Sequence, residues 1–135
     1  VLASGEDIYT GAYMEFGYWR AGENGRLRYT SLIDLVASGL VDGEQFWDIK
    51  EIDDHVIFQS HQRLYSFNKR GGEVTTMVTE KNISNLFSVR DKIYYQLQPK
   101  NSSVIMAHPY YRVVLYDYVL PRKIKIFEIA RCGIG

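Results

Sequence analysis

The sequence predicts an all-β fold, a partial β-propeller of about two to three four-stranded antiparallel meander blades with one short connector helix. Three observations lead there. Phe46 to Thr79 reads as strand–turn–strand–turn–strand–turn–strand. The segments on either side echo its order of aromatic and Gly-containing positions. The echo returns after roughly 40–50 residues, a spacing typical of propeller blades. A single meander leaves both faces and both edges open, so such units must stack.

Val1–Glu6 reads as a loose lead-in. The first, incomplete blade follows as IYTGAY, then EFGYWR, then RLRYTSL beyond the Gly22–Gly25 loop. Between Ser31 and Gly39 the pattern becomes helical. Ser31 and Asp34 have capping-box spacing, Leu32, Leu35 and Val36 share one face, and Gly39 can take a left-handed cap. This predicts a connector helix of about two turns, closing a first region at residues 1–40.

Residues 41–80 hold the complete blade. Its first strand is Phe46–Asp53, with Trp47, Ile49 and Glu51 on one face. Asp53-Asp54 supplies a tight turn, because Asp tolerates turn dihedrals and bonds its own backbone. His55–Ser60 is a short apolar strand, His61-Gln62 turns the chain, and Arg63–Asn68 alternates aromatic with polar residues. A Gly-rich loop, Lys69–Gly72, leads into the β-branched strand Glu73–Thr79.

Residues 81–98 begin a third blade with Ile83–Arg90, a turn at Arg90-Asp91-Lys92, and Lys92–Gln98. Over residues 99–135 the frame is lost. Pro99 opens a loop, and Val104–Ala107, Tyr110–Leu120 and Lys123–Ile129 are strand-prone without the Gly–aromatic pattern. A divergent end and a frame-shifted tail both fit this region. KIKIFEI, from Lys123, alternates cleanly and is read as a strand able to pair with an open edge.

FWDIKEIDDHVIFQSHQRLYSFN resembles the repeat of the two-component-regulator propellers. Phe46, Trp47 and Ile49 match its aromatic-Trp-x-Ile opening, Asp53-Asp54 its acidic turn, and Leu64, Tyr65 and Phe67 its close. Ile8–Gly11 and Phe16–Trp19 match the same frame one blade earlier. IYTGAYMEFGYW with GRLRYTSL is similar to the sensor propellers of Bacteroidetes regulators, including those fused to a helix-turn-helix output domain. The chain departs from the repeat at Gln59-Ser60, where Gly-Thr is usual, and at Gln62-Arg63, where Gly is usual. The likeness covers residues 5 to 98.

The resemblance implies packing between blades by Phe46, Trp47, Ile49, Leu64 and Phe67. It also implies a periplasmic, ligand-sensing part of a membrane-anchored bacterial two-component or transcriptional regulator. Its ligand would be a glycan or another small molecule. Its protein partners would be further blades of the same receptor or a second copy. Two other classes stay open: a structural β-repeat module that oligomerises through open edges, and a slice of a glycan-active propeller enzyme.

With 135 residues, 46% of them hydrophobic, the chain can build a real core. A closed propeller takes on the order of 200–350 residues, so the expectation is a fragment or an assembly that completes its sheets by association. Sixteen residues of each sign give zero net charge and no bulk attraction to nucleic acid or anionic membrane. Cys132 is the sole cysteine, which excludes an intrachain disulfide. No signal peptide is read at Val1–Gly5, which Glu6-Asp7 follows at once, and no apolar run approaches the ~20 residues of a membrane span.

The candidate ligand-binding residues are Tyr13, Tyr18, Trp19 and Arg20. Aromatic faces beside an arginine can stack on a sugar and hydrogen-bond its hydroxyls. Packing at a strand end is the competing account. Tyr13 and Met14 lie at a turn, where loops crowd one rim. His55 and His61 are about 20 Å apart along an extended strand and cannot share an ion, so no metal or cofactor is expected. Glu51, Asp53 and Asp54 bring carboxylates together as a glycosidase would, but charged turns make the same pattern, and no nucleophile–base motif is present. The reading is non-enzymatic.

Overall fold

The computed structural model describes residues 1–79, 81–89, 92–97, 110–117 and 123–130. Their strands form three four-stranded antiparallel sheets, and each strand pairs with its neighbour in sequence. The first sheet holds β1 (Leu2–Ser4), β2 (Asp7–Ala12), β3 (Glu15–Ala21) and β4 (Leu27–Ser31). The second holds β5 (Asp48–Ile52), β6 (His55–Gln59), β7 (Arg63–Asn68) and β8 (Val74–Val78). The third holds β9 (Ile83–Val89), β10 (Lys92–Leu97), β11 (Tyr110–Asp117) and β12 (Lys123–Ala130). The chain divides into two compact units, Val1–Val78 and Thr79–Gly135.

Short turns set the registers. Asp53, at φ 50°, closes a two-residue hairpin in which Ile52 faces His55. Asp is among the few residues that accept this left-handed backbone at modest cost. Beyond β7, the Asn68 N–H donates to the Glu73 carbonyl at 2.9 Å and the Gly72 N–H to the Asn68 carbonyl at 2.7 Å. Gly72 takes φ 77°, so the loop ends in a glycine bulge.

The first unit is held by an aromatic core between its two sheets. Tyr9 and Phe16 of the first sheet meet Val56, Phe58, Tyr65 and Phe67 of the second. The Phe16 ring lies 4.5 Å from Phe58, 4.8 Å from Phe46 and 5.4 Å from Tyr65. Burial of each such side chain contributes roughly 1.5–3 kcal/mol. Gly11 permits this approach, since a Cβ there would stand 2.8 Å from the Phe46 Cβ. Strand β5 lies against β1 and β2, so the sheets meet at their first strands. In the second sheet Ile57 and Leu64, on the face turned away from this core, are also buried. That double burial accounts for the near-continuous apolar run of β6.

Several expectations are corrected. Leu2–Ser4 is a strand paired to Asp7–Tyr9, not a loose lead-in, so the first sheet has four strands. The two-turn helix is a single 3-10 turn, Ile33–Leu35, with no side-chain cap. Ser31 cannot cap it, because it ends β4 and its hydroxyl bonds to Glu15. Leu32 and Val36 are nevertheless buried, and Gly39 does take a positive φ.

Strand β5 starts at Asp48, two residues later than expected. Before it the chain crosses between sheets: the Phe46 N–H bonds to Ala12 of the first sheet, and the Trp47 N–H to Gln59 of the second. Phe46 is buried, as are Ile49, Leu64 and Phe67. Trp47 is 60% exposed, its ring edge-on to His61, and it is not in the packing expected of it.

In the second unit the region beyond residue 99 supplies two strands. β11 pairs with β10, and β12 pairs with β11 from Tyr110 to Tyr116. A bulge at Ser84 lets Ile83 and Leu86 both be buried, beside Ile93 and Tyr95. The expected turn at Arg90-Asp91, the Pro99 loop, the strand Val104–Ala107 and Cys132 lie outside the described residues.

Candidate functional site

The four sequence candidates fall in three places. Strand alternation puts Tyr18 and Arg20 on the core-side face of β3 and Trp19 on the opposite face. Tyr13 sits at the β2–β3 turn, the other end of the hairpin, and is 64% exposed. The structure brings Tyr18 and Arg20 together and separates both from Trp19 and Tyr13.

Around Arg20 the geometry is tight. Its Nε and Nη2 donate to the two oxygens of Asp7 at 2.6 and 2.8 Å, a bidentate pair across β2 and β3. The guanidinium also stands 5.5 Å above the Tyr18 ring. The Asp7 hydrogen bonds hold Arg20 still more firmly protonated than usual. Tyr18 stacks on Phe67 at 6.2 Å, so this surface group is anchored in the core. Arg28 faces Arg20 across the sheet. With Gly22, Glu23 and Asn24 it lines an open depression at the β3–β4 loop. Gly25, at φ 79°, and a bond from the Gly22 N–H to the Arg26 carbonyl shape that loop.

On the opposite face Trp19 meets Tyr29 at 4.9 Å. The Tyr29 hydroxyl donates to Glu15 Oε1 at 2.8 Å, and the Ser31 hydroxyl to the same oxygen at 2.5 Å. Burial, reinforced by Glu15, raises the Tyr29 pKa above its ordinary range. Gly17 makes room for this arrangement: a Cβ there would lie 2.2 Å from the Thr30 carbonyl and 2.7 Å from the Tyr29 hydroxyl.

A third polar group was not foreseen. Glu44, only 4% exposed, lies in the segment joining the two sheets. Its carboxylate accepts from the Tyr65 hydroxyl at 2.8 Å, from the Ser60 hydroxyl and from the Val41 N–H at 2.9 Å. Arg63 Nη1 reaches the Tyr65 oxygen at 3.3 Å and the Gly39 carbonyl at 3.4 Å. The Glu44 carbonyl accepts from the Met14 N–H, and Met14 is held at φ 56°. This buried charge is matched by donors throughout, which makes it a clasp rather than a reactive group. Ser60 and Arg63 belong to the pairs Gln59-Ser60 and Gln62-Arg63, which the sequence reading sets apart as departures from the expected repeat. Those departures were the available signal.

His55 and His61 flank β6, and among the described residues no group of three His, Cys, Asp or Glu is placed to hold a metal ion. No described helix is long and apolar enough to cross a membrane. No protein-family model matches the chain, and no curated protein matches it.

Proposed function

We propose that this chain is part of an extracytoplasmic, ligand-sensing β-propeller of a bacterial regulator, with each four-stranded sheet a blade. One observation carries the reading: successive meanders, each paired in sequence order, with the first strand of one sheet lying against the first strands of the sheet before it. Stacked leaves that close at their inner strands are the construction of a propeller. The resemblance over residues 5 to 98 supplies the sensory class and the periplasmic setting.

The ligand of this reading is a glycan fragment bound at the rim formed by the β3–β4 loop. Glu23, Asn24 and Arg28 line the depression there, and Arg20 is fixed beside them. These groups offer donors and acceptors suited to sugar hydroxyls. Signal would pass as a change in how two receptor chains pack. The test is calorimetric titration of the full receptor with hits from a glycan array. Saturable binding that Asn24→Ala and Arg28→Ala each weaken by about tenfold, about 1.4 kcal/mol, is expected. Absence of binding to every glycan class, or binding untouched by both changes, would overturn the assignment.

A further inference from the structure

Strand β8 is the outer strand of the second sheet, and among the described residues it pairs only with β7. The bond from the Asn68 N–H to the Glu73 carbonyl sets the phase of that ladder. In an antiparallel pair the bonded positions alternate. Thr75 and Met77 therefore turn their backbone groups to Ser66 and Leu64, while Val74, Thr76 and Val78 turn theirs to the opposite edge, which no described strand pairs.

We propose that a second copy of this chain pairs with that edge, β8 antiparallel to β8 about a two-fold axis through Thr76. This register sets Thr76 against Thr76 and Val74 against Val78. Every outward N–H then meets an outward carbonyl, and a slip by one residue would destroy the match. The strand is self-complementary in its side chains too, since β-branched Val74 and Val78 become cross-strand neighbours. Thr76 is exposed, and Val78 is 63% exposed.

The other edges of the first unit are guarded in ways β8 is not. β1 is only three residues long. β4 carries Arg28, and β5 carries Asp48, Lys50 and Glu51. Short length, charge and bulges are the usual defences of a sheet edge against pairing. VTTMV has none of them and no Pro. The inference stands on the backbone of the second sheet and is independent of the sensory reading.

Five residues from each side bury less than the ~1,000 Å² of a standing interface, so the dimer is weak and concentration-dependent. Sedimentation velocity on the full chain over a concentration series tests it. Reversible dimerisation is expected, abolished by Thr76→Lys with the thermal unfolding transition retained. In a Cys132→Ser background, Thr76→Cys should join to itself through a short bismaleimide at least about tenfold faster than Ser38→Cys, an exposed position elsewhere. A monomer at all concentrations, including one whose edge takes a strand from a different protein, overturns the proposal. So does a dimer that survives Thr76→Lys, or equal rates for the two cysteines.

Discussion

The Tyr65 hydroxyl lies 2.8 Å from both carboxylate oxygens of Glu44, and this contact fastens the segment between the first two sheets onto the second. Replacing Glu44 by Ala leaves the buried Tyr65 hydroxyl without its acceptor and Ser60 with only the Arg63 carbonyl at 3.4 Å. An orphaned buried hydroxyl costs about 1–3 kcal/mol. Chemical denaturation should show a loss of that order or more for Glu44→Ala, and a smaller loss for Glu44→Gln, which keeps one oxygen.

Phe46 and Trp47 are adjacent and should respond oppositely to truncation. Phe46→Ala empties a fully packed aromatic site and should cost about 3–5 kcal/mol. Trp47→Ala removes a mostly exposed ring and should cost under about 1 kcal/mol. Unfolding midpoints of the two variants decide this; equal losses would mean that Trp47 is covered in the assembled protein.

Gly17→Ala places a methyl group 2.2 Å from a backbone carbonyl, which cannot swing aside as a side chain can. A loss of about 1–3 kcal/mol is expected. Removing the Tyr29 ring as well, as Gly17→Ala with Tyr29→Ala, should not restore stability, because the nearer obstacle is the Thr30 carbonyl.

Asp53 holds φ 50° in the tight turn after β5. Asn shares its tolerance of this backbone, so Asp53→Asn should leave thermal stability unchanged. A β-branched side chain does not, and Asp53→Val should lower stability by about 1–2 kcal/mol.

Burial pushes the Tyr9 and Tyr65 phenols up to about 12; the Arg63 hydrogen bond opposes the shift at Tyr65 and Glu44 supports it. An unfolded tyrosine ionises near 10. Above that pH the unfolded chain releases protons that the folded chain retains, so stability falls as pH rises. The contribution is complete below about 10 and is lost between about 10 and about 12. Phenolate absorbance should therefore show a cooperative step that coincides with unfolding in that window, and unfolding without such a step would contradict it.

Much of the architecture was legible because alternation and turn chemistry are local. The Asp53 hairpin, the Gly72 loop and every strand of the second sheet follow from residues within a few positions of one another. The misses were decided at a distance. Ser31 looked like a helix cap, but Glu15, sixteen residues earlier, takes its hydroxyl. Leu2–Ser4 is too short to show a period and becomes a strand only through Asp7–Tyr9. Phe46 and Trp47 share the pattern that implies packing, yet the crossing from Ala12 to Gln59 turns only Phe46 inward. Trp19 and Arg20 stand together in the chain and are parted by the pleat.

The Asp7–Arg20 pair carries a last consequence for chemistry at that rim. Both engaged nitrogens of the guanidinium already serve one carboxylate, while its plane rests on Tyr18. An acidic visitor would find the charge of that guanidinium already balanced by Asp7, with only its remaining N–H groups on offer. Neutral, hydroxyl-rich guests can accept from those same groups while the carboxylate stays in place.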